Sequence, residues 1–389
     1  MLTLDERPFK FADMVGNAAT MSALKKRTET MKFPEVMLMA GDSGTGKTTV
    51  ARIIAALLTD DNPILNADGT RDPNPETPSS ALIRDKGCSS NVLFFDATDL
   101  KKEGVLALHE EVSYAPMDGG NKIIIIDEAQ ALSTHAKGAT LTLLEQRNEG
   151  VYLILCTMNI DAFDKAVLGR CATFNFRSPV ATEIGDYLMN LSEKLEAFDG
   201  PRSCPPDKEE EFLKKTTLLM AENAFGSVRL AVQYLGRCIE EELWTVEQVK
   251  ETLSLLTQED IQTMLEQLLN KDPRALLSLQ ETTRKGKKVD DLFQQLWWKL
   301  TDIFVYQITK KTDKAGVADT FKSAHNLIPL IQTFETVATM GGSYIKPMLL
   351  LGRLGQYYRD ANIPAGVTAP PPPPVVATAP QGRVRVAPT

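Results

Sequence analysis

A glycine-rich loop that could hold a phosphate chain is the strongest chemical signal in the sequence. Residues 41–49 read GDSGTGKTT and match the pattern G-x-x-x-x-G-K-S/T. Glycine tolerates positive φ, so successive backbone N–H groups of such a loop can turn toward one anion. Lys47 would place its charge against the β- and γ-phosphates, and the Thr48 hydroxyl would be a ligand for Mg²⁺. The nucleotide-binding residues predicted from this loop are Gly41, Asp42, Ser43, Gly44, Thr45, Gly46, Lys47, Thr48 and Thr49.

The segments on both sides of the loop suit this interpretation. Residues 36–40 (VMLMA) are typical of a short apolar strand, and residues 49–58 (TVARIIAALL) are typical of a helix. A strand, a glycine loop and a helix in this order place an anion at the helix N-terminus. The alternative is a glycine-rich turn in a protein that binds no nucleotide, and the agreement of motif and context disfavours it.

Two adjacent carboxylates could supply the metal ligand and the base of a hydrolytic site. Residues 122–126 (KIIII) predict a buried strand that ends at Asp127 and Glu128. Asp127 would complete the Mg²⁺ shell, and Glu128 would polarise the water that attacks the γ-phosphate. An acidic helix cap is the alternative, but the complete glycine loop upstream favours the catalytic role.

Three more polar residues are candidates for contact with phosphate. Asn159 follows the strand-like run at 151–156 and could bond the γ-phosphate or the attacking water, or could simply be a turn residue. Arg170 and Arg229 carry planar, permanently charged groups that suit phosphate recognition, either in their own subunit's site or as an arginine finger in a neighbour's. Composition alone favours ordinary surface arginines.

Apolar runs separated by helical stretches indicate a parallel sheet in an α/β domain. The runs lie at residues 92–95, 122–126, 151–156 and 173–176. Ligands bind at the carboxyl ends of strands in such sheets. We therefore expect Asp127, Asn159 and the glycine loop to converge on one site.

Bulk properties exclude several classes of protein. A chain of 389 residues with 43% apolar and 24% charged residues is typical of a soluble protein with two or three domains. The sequence predicts neither a membrane span nor a secretion signal. Five scattered cysteines argue against a disulfide framework or zinc cluster and fit a reducing cytoplasm. A net charge of −8 means that any contact with nucleic acid is local or shared among subunits.

The second half of the chain is mainly helical. Before it, the segment at 59–87, rich in Pro, Asp and Asn, predicts an exposed loop. Helices are expected at about 181–198, 207–224 and 227–242, and a separate helical domain follows residue 245. There Trp297 and Trp298 more plausibly pack a helix bundle than stack on nucleic acid. After residue 362 the sequence becomes rich in Pro, Ala and Val, which predicts a disordered tail.

The order of the motifs resembles that of the AAA+ clamp-loader ATPases, and most closely the gamma/tau subunits of bacterial DNA polymerase III. The motifs that carry the resemblance are Arg7-Pro8, FADMVGN at 11–17, the glycine loop, DATDLKKEGV at 96–105, SYAPMDGGNKIIIIDEAQALSTHA at 113–136, LTLLEQ at 141–146, TMN ending at Asn159, GRC at 169–171, GSVR ending at Arg229, and TVEQVKETL at 245–253.

The resemblance implies an architecture and a set of residue roles. It implies an AAA+ P-loop ATPase domain with a parallel sheet at 1–180, a three-helix lid at 181–243, an all-α oligomerisation collar at 244–360 and a disordered tail at 361–389. Arg170 would be the finger that acts in trans, and Arg229 would sense the γ-phosphate in cis. The residues expected near the adenine are Arg7, Pro8, Val15 and Gly16.

The implied function is that of a clamp-loader motor subunit, an ATP hydrolase in the cytoplasm of a bacterium or phage-infected cell. Its partners would be other loader subunits in a pentameric assembly, a sliding clamp and primer–template DNA, with no membrane. Lys101 and Lys102 are candidates for contact with the DNA backbone, or else form a solvated helix start.

Two alternatives belong to other functional classes. One is a scaffold subunit that binds ATP without hydrolysing it, although the intact Lys47, Thr48, Asp127 and Glu128 argue against it. The other is a related AAA+ DNA remodeller such as a branch-migration motor. Such motors add a winged-helix module after the lid, and the helical pattern after residue 245 favours a collar instead.

The sequence departs from the family pattern at three places. The four-cysteine zinc module is reduced to Cys88, so no zinc is expected. Gly169 replaces the serine of the family's SRC motif, so a contact made by that serine is lost. The tail after residue 362 is far too short for a tau-type extension. The missing zinc cysteines and the divergent sequence suit a phage-encoded version.

Overall fold

A computed structural model of the chain describes residues 6–100, 120–133, 150–195, 209–243, 245–270, 272, 274–284, 292–293, 295–297, 299–301, 303 and 330–332. Lys101 and Lys102 lie outside these residues, as do the tail and much of the predicted collar. The chain forms two compact units, which divide between Thr257 and Gln258.

A five-stranded parallel sheet lies at the centre of the first unit. Its strands stand in the order β4-β5-β6-β1-β7, and every pairing between neighbours is parallel. Each run predicted to be a strand is confirmed. The strands are β1 (Val36–Gly41), β4 (Val92–Asp96), β5 (Lys122–Asp127), β6 (Val151–Thr157) and β7 (Ala172–Phe176).

Both faces of this sheet are buried, which explains why its central strands are continuously apolar. Along β5, Ile123 and Ile125 enter one hydrophobic cluster, while Ile124 and Ile126 enter a second cluster on the opposite face. This alternation follows from the two-residue period of a strand. The first cluster packs against the helix that follows the glycine loop, and the second against residues 160–168.

The carboxyl ends of the strands meet at one edge, as expected. Asp96 pairs in register with Asp127, and Ala40 pairs with Thr157. The glycine loop leaves β1 at this edge, and Asn159 follows β6 by two residues. The sheet therefore brings the start of the loop, the Asp127 carboxylate and the end of β6 to the same side of the molecule.

Helices cover this sheet in the first part of the unit. They are α1 (Ala18–Thr30), α2 (Lys47–Leu58), α3 (Pro78–Lys86) and the short α4 (Lys165–Leu168). Helix α2 is buried along most of its length, including Ile53, Ile54 and Leu57 at 0% exposure. Such a helix has little freedom to shift, so it holds the loop at its N-terminus in a fixed position.

The prediction of an exposed loop at 59–87 is wrong. This segment contains a small antiparallel hairpin, β2 (Ile64–Leu65) with β3 (Arg71–Asp72), followed by α3. The Asp60 carboxylate accepts bonds from the backbone N–H of Asn74 (2.5 Å) and from the Ser80 hydroxyl (3.2 Å). Ile83 is buried in the main core. The polar residues that predict a loop instead hold the segment together through side-chain bonds to its own backbone.

Three helices, at the positions predicted from the sequence, form a third hydrophobic cluster in the same unit. They are α5 (Ala181–Lys194), α6 (Glu209–Asn223) and α7 (Val228–Glu240). Helix α8 (Val246–Thr252) and the turn after it add Val249, Leu253 and Leu255 to the cluster. Val15, from the N-terminal segment, is also part of it.

The side chain of Asn17 ties the N-terminal segment to the connection between β7 and α5. Its Oδ1 accepts from the N–H of Arg177 (2.7 Å), and its Nδ2 donates to the carbonyl of the same residue (2.9 Å). Arg177 in turn pairs through two bonds with the Glu183 carboxylate, which also accepts from the N–H of Val180 (2.9 Å). Asn17 itself has a left-handed backbone (φ 55°). This network fixes the segment that leads into the three-helix cluster.

Helices also make up what is described of the second unit. Helices α9 (Gln258–Leu269) and α10 (Arg274–Arg284) pack together and bury Met264, Leu268 and Leu279. Leu292, Leu296 and Leu300 are buried at the four-residue spacing expected for one face of a helix around Trp297. Within the described residues, no helix is both long and apolar enough to span a bilayer.

Two substitutions at Asn17 distinguish the stability contributed by its side-chain hydrogen bonds from the cost of its positive φ. We expect Asn17→Gly to lower the free energy of unfolding by about 2 kcal/mol, because the N–H and carbonyl of Arg177 lose their partners. Asn17→Ala should cost about 1 kcal/mol more, because alanine resists a positive φ. Urea denaturation checks both values. Equal stability of the two variants would contradict the backbone argument, and parental stability of both would contradict the bonding argument.

Candidate functional site

The glycine loop surrounds the buried ammonium group of Lys47. The Nζ atom donates to the carbonyls of Gly41 (2.8 Å) and Asp42 (2.6 Å), and the Thr45 hydroxyl donates to the carbonyl of Asp42 (2.8 Å). Lys47 is only 7% exposed, although it opens helix α2. The loop thus has the compact form of an anion-binding turn, with its lysine at the centre.

Burial is the main influence on the protonation of Lys47. Loss of solvation lowers the pKa of this lysine from its ordinary value, while the nearby Asp127 and Glu128 carboxylates oppose the shift. A cation in this position is poorly solvated by water. It is therefore suited to an anionic ligand that would complete its coordination.

A hydrogen bond joins the loop to the neighbouring strand ends. The Thr48 hydroxyl donates to Oδ2 of Asp127 (2.9 Å), and the N–H of Glu128 donates to Oδ1 of the same carboxylate (3.0 Å). The two residues predicted to hold Mg²⁺ therefore lie side by side. Hydroxyl and carboxylate oxygens are the ligands that Mg²⁺ prefers, so the donor set fits this ion.

The loop forms one wall of a cavity of about 250 Å³. Loop residues 43–49 line it together with Asp127 and Glu128. Among the further lining residues, Arg7, Pro8 and Val15 come from the N-terminal segment and are predicted to bind the nucleotide. Tyr187, Val232 and the predicted Arg229 come from the three-helix cluster.

Two arginines, Arg7 and Arg229, line the cavity together with the carboxylates of Glu6, Asp96, Asp127 and Glu128. Burial and the charges of Arg52 and Arg229 lower the pKa of Arg7 to about 10, and only Asp127 opposes them. The buried Nη1 of Arg7 has no hydrogen-bond partner among the described residues. Unpaired buried donors are costly, and a triphosphate would supply the acceptors that these cations need. The residues present thus fit a nucleotide with Mg²⁺.

Helix α7 begins directly on the loop. The N–H of Val228 donates to the carbonyl of Gly44 (3.1 Å), and the Ser227 hydroxyl caps the helix by accepting from the N–H of Leu230 (3.3 Å). A Cβ added at Gly44 would come within 2.1 Å of the Ser227 hydroxyl oxygen. Glycine is therefore required both for the close approach and for the positive φ of 77°.

Two of the predicted catalytic residues do not line the cavity. The Asn159 side chain accepts from the N–H of Asp161 (2.9 Å) and caps a short 3₁₀ helix, which is the turn role that the sequence left open. Arg170 is exposed and donates to the carbonyl of Ala166 (2.9 Å). The roles of Asn159 with phosphate and of Arg170 in a neighbouring site stay predictions.

Several residues at the site carry no recognisable signal in the sequence. Tyr187 lies on α5 and Val232 on α7, and the packing of these helices brings both residues to the cavity. Arg52, on α2, lies 5.0 Å above the centre of the Phe94 ring. Gln130, which bonds to Glu128, follows the DE pair by two residues and belongs to no motif that predicts such a contact.

Comparisons with known proteins match this chain to subunits of DNA polymerase III. A family model described as DNA polymerase III, delta subunit, matches residues 16–180. The gamma subunit of DNA polymerase III from Buchnera aphidicola (Acyrthosiphon pisum) is 28% identical over 70% of this chain and 71% of its own length. The tau subunit from Bacillus subtilis is 24% identical over 87% of this chain, and that from Escherichia coli is 28% identical over 60%. The matches cover 58% and 33% of these two longer proteins.

Solved structures with a similar fold include a mutant of RuvB from Thermotoga maritima. It is 13% identical, with a TM-score of 0.48 over 79% of this chain and 99% of that one. A TM-score at this level carries no argument about function.

These findings show that the chain resembles the gamma and tau subunits of DNA polymerase III, and the structure shows an α/β domain built on a parallel sheet. The family model and the gamma and tau relatives support the first part. The parallel sheet, with the glycine loop after β1 at its carboxyl edge, supports the second. A phage origin stays a prediction.

Two alanine substitutions test the contact between the loop and α7. Gly44 (φ 77°) and Gly69 (φ 81°) share nearly the same backbone geometry, but a Cβ at Gly69 would have nothing within 4 Å. Gly44→Ala should weaken ATP binding by about tenfold or more, because the collision pushes α7 and Arg229 away from the loop. Gly69→Ala should leave affinity unchanged and cost only about 1 kcal/mol of stability.

Fluorescence titration with a labelled ATP analogue measures the affinities, and thermal melting measures the stability. Equal affinities for the two variants would show that the close approach of α7 does not matter for nucleotide binding.

Proposed function

We propose that this chain is an ATP-hydrolysing motor subunit of a sliding-clamp loader in DNA replication. One observation carries the proposal: Lys47, the bonded pair Thr48 and Asp127, and Glu128 all face a single cavity that Arg229 of helix α7 also lines. A scaffold that only binds nucleotide would need no carboxylate beside the predicted metal ligand. The similarity to gamma and tau subunits supports the assignment to a clamp loader.

Binding begins with an exchange of partners for Lys47. Its ammonium group now bonds the carbonyls of Gly41 and Asp42, and an entering phosphate would replace these weak acceptors with charged ones. The N–H groups at the start of α2 face the same ligand. Arg7 and Arg229 would offset the remaining negative charge, while Pro8 and Val15 offer apolar surface to the base.

Hydrolysis would use Glu128 as the group that orients and polarises the attacking water. The water oxygen attacks the γ-phosphorus, the bond to the β–γ bridging oxygen breaks, and the products are ADP and phosphate. Mg²⁺ held by Thr48 and Asp127 would neutralise charge on the phosphate oxygens. Arg170 is exposed and would stabilise the transition state in the site of an adjacent subunit, which makes each active site a product of two chains.

Mechanical coupling would pass through α7. Because the N–H of Val228 bonds the carbonyl of Gly44 and Arg229 lines the cavity, the position of this helix depends on what the loop holds. ATP binding would set the lid helices in the arrangement that opens the clamp. Loss of the γ-phosphate would release the clamp on primer–template DNA.

Contact with DNA would be confined to a small part of each subunit. The net charge of −8 excludes a broad basic surface, so the positive potential would line an inner channel of the assembly. Lys101 and Lys102 are our candidates for that contact. A pentameric assembly with other loader subunits follows from the same proposal.

Mixing variants tests the composite site. Lys47→Ala should abolish ATP binding in its own site, and Arg170→Ala should lower turnover by about 1,000-fold while ATP still binds. Assemblies that contain both variants should regain turnover, because the intact site of an Arg170→Ala subunit can face the intact arginine of a Lys47→Ala subunit. Phosphate release with primed DNA and clamp present is the measurement.

The matched control mixes Lys47→Ala with Glu128→Gln. Lys47 and Glu128 both belong to the half of the site that carries the glycine loop, so each chain in this mixture has a damaged loop half. No interface is then complete, and no activity should return. Glu128→Gln alone should lower turnover by about 100-fold or more with ATP binding retained. Full turnover of Glu128→Gln would contradict the motor proposal, and no recovery in the first mixture would contradict the role of Arg170 in trans.

A further inference from the structure

We propose that Gln130 is a positioning residue that holds the catalytic carboxylate of Glu128 against the end of strand β6. The inference rests on the proposed function of Glu128 and extends it to a neighbouring residue that has no role predicted from the sequence. Gln130 lies on the short 3₁₀ helix Ala129–Ala131, which directly follows the DE pair. Its side chain is half-buried and does not line the cavity.

Both ends of the Gln130 amide are bonded to the site. The Nε2 group donates to Oε2 of Glu128 (2.5 Å). The Oε1 atom accepts from the Thr157 hydroxyl (2.9 Å) and from the N–H of Met158 (3.1 Å). One side chain therefore spans the gap between the carboxylate and the last residues of β6.

The chemistry of the partners sets the orientation of this amide. A carboxylate only accepts hydrogen bonds, and the N–H of Met158 only donates them. Turning the amide over would place its oxygen against the Glu128 carboxylate and its NH₂ against the Met158 N–H. An acceptor would then face an acceptor and a donor would face a donor, so the observed orientation is strongly preferred.

Glu128 needs such a restraint because its backbone alone does not fix its carboxylate. The residue has a left-handed backbone (φ 50°, ψ 37°) at the turn from β5 into the 3₁₀ helix. Its own N–H and carbonyl are bonded to Asp127 and Ala131. These bonds fix where the side chain starts, but its long, flexible stem leaves the carboxylate free to rotate. The bond from Gln130 removes that freedom.

Thr157 links the same amide to Asn159. The Thr157 hydroxyl is fully buried and accepts from the N–H of Asn159 (3.1 Å). Its single proton has two acceptors within reach, Gln130 Oε1 (2.9 Å) and the Asn159 carbonyl (3.0 Å). A shift of the Asn159 turn would change which of these oxygens accepts the Thr157 hydroxyl proton. The Gln130 amide would then move, and the Glu128 carboxylate bonded to it would move as well. The position of the base thus depends on the turn at the end of β6.

Substitutions at both ends of the amide test this role. Gln130→Leu removes all three bonds, and Gln130→Glu keeps the acceptor for β6 but loses the donor to Glu128. We expect each to lower kcat by about tenfold or more, as for other residues that orient a catalytic group, with ATP affinity unchanged. Gln233→Leu, on the exposed side of α7, is the matched control and should behave like the parent.

A double substitution supplies a readout that a merely structural residue would not move. Thr157→Val should lower kcat less than Gln130→Leu does. The combined variant should be no slower than Gln130→Leu alone, because both changes act on one chain of bonds. All rates are measured with the full chain and its co-purifying subunits, and ATP affinity is measured separately with a labelled analogue.

The outcomes separate this inference from the proposed function. If Glu128→Gln abolishes turnover but Gln130→Leu and Gln130→Glu both retain the parental kcat, the inference is wrong and the proposed function stands. Additive losses in the double variant, or losses explained by weaker ATP binding, would also overturn it. If Glu128→Gln itself keeps full turnover, the proposed function is wrong, and the inference about Gln130 falls with it.

Discussion

The bond between the Thr48 hydroxyl and the Asp127 carboxylate is the interaction on which the site depends. It joins the first turn of α2 to the end of β5, two elements that lie 79 residues apart in the chain. The bond is possible because β1 and β5 flank β6 in a parallel sheet, so their carboxyl ends emerge at one edge. The buried helix α2 and the close-packed apolar residues of the central strands hold that edge in place.

A second constraint is the shortage of partners for the positive charges at this edge. Burial and neighbouring arginines lower the pKa of Arg7, and burial lowers the pKa of Lys47. The Asp127 and Glu128 carboxylates oppose the lowering of the Lys47 pKa. A ligand rich in negative oxygens would supply acceptors for these cations, and the bond from Val228 to Gly44 joins the same loop to helix α7.

Much of this arrangement follows from the sequence, because local patterns determine it. The apolar runs predict the strands, and the strand–loop–helix order predicts where the phosphate would lie. The loop prediction at 59–87 is wrong because Asp60 bonds the N–H of Asn74 and the hydroxyl of Ser80, and a pattern of polar residues does not reveal such bonds. Tyr187, Arg52 and Gln130 act through tertiary contacts, and no spacing in the sequence predicts those contacts.

The central claim is that the site belongs to a motor whose rate of ATP hydrolysis increases when primed DNA and a sliding clamp bind. The most direct measurement is the ATP turnover of the full chain with its co-purifying subunits, with and without primed DNA and a sliding clamp. We predict slow turnover without DNA and clamp, and an increase of about tenfold or more when both are present. In this account, contact with DNA brings the catalytic groups of adjacent subunits into position. Turnover that stays the same with and without primed DNA and clamp would contradict the account.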